Sequence, residues 1–215
     1  MGDDAWRCEI LAREIRKQAL SVSKLASKLE HGEEFPTKTP GILAITIKKI
    51  ALLLESTLDR TTPDQLPLID EFLHEITTEL RFIERSKIEH TPWSMIQAAE
   101  SFMTDCTDSN NHFIIRPQWN FNYAIMDHFV ESYRRRLDSL AWLHEEEVNA
   151  VFAESCGDKK IFCISFPRIE RTNSLLHAIF GHETGHIIAQ QWVTSHFLRF
   201  WNEIESEVKE AIVRY

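Results

Sequence analysis

No stretch of this chain approaches 18 apolar residues, so no transmembrane helix is expected. The start, Met1-Gly2-Asp3-Asp4, is acidic rather than a basic region followed by an apolar one, and no signal peptide is expected either. Cysteine is sparse. Cys8, Cys106, Cys156 and Cys163 form no CxxC pair and no disulfide framework, which points to free thiols in a reducing compartment, with the cytoplasm as the default. Positive charge is also short: 24 Lys and Arg stand against 33 Asp and Glu, a net charge of −9 that disfavours a nucleic-acid partner. Arg134-Arg135-Arg136 is the one compact basic cluster, and it reads as a solvated helix face beside acidic neighbours. There is no internal repeat and no low-complexity tract. What remains is 215 residues, 43% hydrophobic and 27% charged, enough for one domain or two small ones with a substantial core.

Periodicity organises the first hundred residues as a helical bundle. Leu11, Ile15, Val22, Leu25 and Leu29 recur at helical spacing, and Gly32 is placed to end that helix. Pro36 and Pro40 punctuate a link. Ile42–Leu58 reads as a central helix, although residues 42–47 have some strand character. Thr62-Pro63-Asp64-Gln65 has the form of a capping box ahead of Leu66, Ile69, Leu73, Ile76, Leu80 and Ile83. Thr91-Pro92 opens a short helix to about Met103, and the polar stretch Asp105–Asn111 is the boundary candidate. Beyond it, His112–Ile115 reads as a strand ended by Pro117 and Lys160–Phe166 as another ended by Pro167, with Tyr123–Ala153 helical between them.

The chemistry is carried by Gly181-His182-Glu183-Thr184-Gly185-His186. Two imidazoles four residues apart on a helix project from one face and can reach one metal ion. Glu183 stands about 100° round the helix from His182, where it misses the metal but reaches a water bound to it. In this HExxH pattern zinc polarises the water and the glutamate takes its proton. His74-Glu75 and His144-Glu145 also begin the pattern, but Thr78 and Val148 stand where the second His belongs. Asn173 or Ser174 is placed to cap the helix, and Leu175, Ile179, His182, His186, Ala189 and Val193 share one stripe. The histidines are therefore expected on its apolar, inward-facing side, as metal ligands or as buried structural histidines. Gly181 and Gly185, four apart, would leave a smooth strip for a close neighbour. Zinc usually takes a third protein ligand. No aspartate follows Asp158, and Ala189 and Trp192 occupy the Gly and His positions of the extended HExxHxxGxxH pattern. The carboxylates beyond the motif are Glu203, Glu205, Glu207 and Glu210.

Asn202-Glu203-Ile204-Glu205-Ser206-Glu207 resembles the NExxSD motif of the thermolysin-like zinc metallopeptidases, the gluzincin branch of the zincins, with Glu in place of the final Asp. The resemblance covers about residues 160–213. It implies a Zn²⁺ cofactor held by His182, His186 and Glu203, with Glu207 supporting a ligating histidine from behind. It also implies a peptide or protein substrate held along a sheet edge by Ile161–Phe166; the same segment reads equally as a buried strand covering the helix. In an unbroken helix Glu203 would stand about 25 Å from His186. Ligation by Glu203 thus needs a break between about Gln191 and Phe197, for which Val193-Thr194-Ser195 is the candidate.

The expected fold class is mainly α with a small β-sheet: a helical bundle over residues 1–105, then a zincin-like metal-binding domain over 106–215. The expected function is a zinc-dependent hydrolase, by the resemblance a metallopeptidase, with Glu183 as general base and His177, His196, Tyr123 or Tyr133 as possible oxyanion donors. Neither nucleic acid nor membrane is an expected partner. The other reading is a non-catalytic helical interaction or regulatory module with a structural metal or none. A third places the missing ligand in sequence beyond Tyr215.

Overall fold

Ile15, Ala19, Val22, Ala26 and Leu29 alternate by four and three, the spacing of a helix seam, and all five are buried. They lie on α1 (Gly2–Glu30), which packs lengthwise against α2 (Thr39–Thr57). Ala19 and Ala26 on one helix, and Ala44 and Ala51 on the other, are seven apart and fully buried, so their small side chains let the helices approach closely. The approach is tightest where α2 begins: a Cβ on Gly41 would stand 3.0 Å from the Glu30 carbonyl oxygen. The strand character of residues 42–47 is overridden because Leu43, Ala44, Ile47, Ile50, Ala51 and Leu54 bury one helical face. The computed structural model describes residues 2–30, 35–87, 89–91, 96–97, 101–103, 105, 112–119, 124–127, 130–153, 161–170 and 177–213.

Helix α3 (Leu66–Glu84) completes the bundle and buries all six of its expected core residues, together with Phe72. The capping box is only half formed. Thr62 N–H donates to Gln65 Oε1 at 2.9 Å, but the helix starts three residues later than the motif implies, with a proline in its first turn. The helix expected from Thr91 to Met103 falls largely outside the described residues; residues 96–97 and 101–103 are helical.

Among the described residues three strands form a mixed sheet in the order β1 (His112–Gln118), β3 (Ile161–Pro167), β2 (Ala124–Asp127). β1 runs parallel to β3 and β2 antiparallel to it. Pro117 does not end β1, which continues to Gln118. Among the described residues β1 is an edge strand with one side that forms no ladder, and there a missing N–H costs little. The sequence reading placed residues 124–127 in a helix, and the structure corrects this to β2. Four residues are too few to set a period, and their pairing with Phe162–Ser165 decides the conformation. Beyond β2 the rest of the expected helical region forms α4 (Val130–Asp138) and α5 (Glu145–Ala153). His144 precedes α5, and its N–H donates to Glu147 Oε2 at 2.9 Å, so this incomplete HExxH start is a helix cap.

The sheet lies between two apolar clusters, and its alternation divides them. Ile114 and Ile161 join the core of α1–α3, along with Tyr133, Leu137, Val148 and Phe152 of α4 and α5. Phe113, Ile115, Phe162, Ile164 and Phe166 face a second cluster with Ile96 and Met103. Among the described residues both clusters draw on both sides of residue 105, and the expected boundary stretch Asp105–Asn111 lies outside the described residues from 106 to 111. The chain ends in α6 (His177–Val213), 37 residues that rise about 55 Å. Among the described residues no helix is long and apolar enough to cross a membrane.

Candidate metal centre

His182 and His186 sit in the first third of α6 and both are exposed. Their Nε2 atoms are 3.1 Å apart, and the rings meet edge to face with centroids separated by 4.7 Å. The expected inward orientation is therefore corrected. The face of α6 turned to the body is that of Thr184, which is fully buried and donates its hydroxyl to Met103 Sδ at 2.7 Å, roughly opposite the two histidines on the helix. Val193, on the histidine stripe, is exposed as well. Among the described residues Gly181 and Gly185 receive no close neighbour: a Cβ on Gly181 would meet Phe102 at an ordinary 3.9 Å, and one on Gly185 would meet nothing within 4 Å.

Helix α6 has no break. Val193-Thr194-Ser195 is helical throughout, since β-branching costs only tenths of a kcal/mol per residue and no Gly or Pro interrupts the segment. Glu203 is consequently about 25 Å along the helix from His186 and cannot join the two histidines of its own chain on one ion. The Glu203 carboxylate is exposed, with Arg199 Nε at 3.9 Å. The side chains of Glu183 and Glu207 lie outside the described ones. Among the described residues no group of three His, Cys, Asp or Glu side chains gathers around a point.

β3 is the central strand and is buried along its length, with β1 and β2 occupying its two edges. It is the buried strand of the two readings, and its backbone is unavailable to an extended peptide. Of the four possible oxyanion donors, Tyr133 is committed to the bundle core, its ring centroid 5.9 Å from that of Phe72. Burial, then Glu79 and Glu75, push its phenol above the usual range. His196 stacks on Trp192 at 4.0 Å and its Nδ1 lies 2.9 Å from the Trp192 carbonyl oxygen. Tyr123 and the His177 side chain are outside the description.

The arginine cluster is occupied in folding. Arg136 bridges Glu71 at 3.2 Å and Glu75 at 2.6 Å and covers the Phe72 ring, while Arg134 lies over Phe152. A polar group that sequence reasoning missed lies between α3 and the sheet. Arg116 stacks 3.4 Å from the Phe82 ring centre and its Nε donates to Ser165 Oγ at 3.3 Å, with Cys163 Sγ 3.7 Å from that oxygen. Its signal was present: Cys163 and Ser165 alternate with Phe162, Ile164 and Phe166 along β3, so one face of an apolar strand is polar. The chain matches no protein-family model, no curated protein and no solved structure, so its site is read from its own residues.

Proposed function

We propose that the chain is a zinc-dependent hydrolase acting on peptide or protein substrates, with His182 and His186 as metal ligands and Glu183 as general base. The convergence of the two imidazole nitrogens supports this reading. Two nitrogens at ~2.0–2.1 Å from a tetrahedral zinc stand about 3.3–3.4 Å apart, close to the 3.1 Å between His182 Nε2 and His186 Nε2. Zinc bound there supplies a Lewis acid that activates water and polarises a carbonyl. Nε2 is the converging atom in both rings, so each histidine would hold the metal through it. Glu183, about 100° round α6 from His182, takes the proton of the attacking water and returns it to the leaving amine. A reducing, cytoplasmic setting belongs to the same proposal, supported by the free thiols of Cys8 and Cys163.

The exposed apolar length of α6 favours a second reading, an interaction module whose metal is structural. Purified protein should carry about one zinc per chain, lost in the His182→Ala/His186→Ala double variant. Glu183→Gln should retain zinc and lower amide hydrolysis by about 10²–10⁴-fold. Elemental analysis finding no zinc and no uptake on addition would sink both metal readings. Activity unchanged by Glu183→Gln would leave only the structural one.

A further inference from the structure

Counting 100° per residue, His182, His186, Val193, Phe197, Phe200, Trp201 and Ile204 fall within one stripe about 100° wide along α6. Trp192, Val193, Phe197, Phe200 and Trp201 are each 55–60% exposed. At roughly 150–250 Å² per aromatic side chain and this exposure, the stripe offers on the order of 400 Å² of apolar surface, about half of the ~800 Å² per partner of a stable interface. The histidine pair lies at one end of this stripe. Glu203 flanks its other end, where charged residues border a packed helix seam.

We propose that α6 pairs antiparallel with α6 of a second copy of this chain, and that Glu203 of each copy completes the metal site of the other. This rests on the zinc reading above and supplies its third ligand. The midpoint between His186 and Glu203 falls at Thr194–Ser195. A two-fold axis there makes the contact isologous: if Glu203 of one copy stands level with His186 of the other, the reverse holds too, and two sites form together. The 17-position step from His186 to Glu203 within one chain becomes the span between two equivalent sites. The aromatic side chains lie between the two sites and are covered by the same pairing. Charge is complementary as well, because the end of α6 that carries Glu203, Glu205, Glu207 and Glu210 is brought against the end that carries the imidazoles and the metal.

Subunit mixing tests the arrangement. Wild-type protein is expected to sediment as a dimer with about one zinc per chain. The His182→Ala/His186→Ala chain and the Glu203→Gln chain, each alone, are expected to lose tight zinc, measured against a competing chelator. Unfolded and refolded together in equal amounts, they should recover about a quarter of the wild-type zinc, since half the dimers then hold one intact site. Phe200→Glu/Trp201→Glu should give monomers that bind zinc at least tenfold more weakly than wild type. Wild-type monomers that bind zinc as tightly as expected, or mixing that recovers none, would overturn the shared site and leave the zinc reading standing. Protein that binds no zinc at all would overturn both.

Discussion

Replacing Phe72 with alanine should destabilise the folded chain by about 3–5 kcal/mol, the range for removing a fully buried aromatic ring. Phe72 is completely buried on α3, against Tyr133 of α4, with the Arg136 guanidinium 5.3 Å from its ring centre. The substitution removes the ring's burial, leaves a cavity between α3 and α4, and strips the apolar surface beneath Arg136. Little of this can collapse, since the neighbouring side chains on α3 are themselves packed. Urea unfolding followed by circular dichroism should show a midpoint well below wild type with an unchanged slope. Arg136→Ala should cost far less, because its ion pairs with Glu71 and Glu75 are partly exposed and screened. A Phe72→Ala variant within 1 kcal/mol of wild type would mean that α4 does not close the bundle as described.

Alkaline pH should destabilise the protein through one thiol. Cys163 lies buried in the central strand, and burial raises its pKa from an ordinary 9.0 to about 11, against the opposing pull of the Arg116 guanidinium and Ser165. Between these values the folded thiol keeps a proton that the unfolded chain has lost. The folded state then binds more protons, so stability is complete below about pH 9 and falls as pH rises through 11. Two units correspond to about 2–3 kcal/mol over the whole window. Cys163→Ala should flatten the part of this fall that begins near pH 9, at the cost of a small cavity. Tyr133, whose phenol is also raised, adds a separate loss above pH 10 that Tyr133→Phe would remove. Unfolding free energies of wild type and Cys163→Ala that decline in parallel from pH 8 to 10 would contradict the assignment.

The helical bundle was legible because its signals are local. Buried residues on α1, α2 and α3 repeat at helical spacing, and the apolar strands β1 and β3 are bounded by polar stretches. Pairing was not legible. Nothing within Ile161–Pro167 says that it is central rather than an edge; that follows from β2, whose four residues carry no period. The stripe through His182 and His186 was found, but periodicity tells which residues share a face and not what covers it. The apolar character of that stripe suggested the interior, whereas Thr184, on the opposite side, meets Met103. The break at residues 193–195 was required by a ligand set rather than by any helix-stopping residue there, and the local chemistry prevailed.

The order of strands has a consequence for how the chain is made. β3, which alone bonds to both other strands, is the last of the three to leave the ribosome. At ~5–20 residues per second, the 49 positions from Gln118 to Pro167 take roughly 2–10 s to synthesise. Throughout that interval β1 lacks its one partner strand among the described residues, and Phe113, Ile114 and Ile115 lie on an open edge of the kind that recruits other chains. Helices α1–α3, whose contacts are nearer in sequence, are complete before then. The nascent protein therefore passes through a stage in which the three bundle helices are made and β1 still awaits β3, and its risk of aggregation during synthesis is concentrated there.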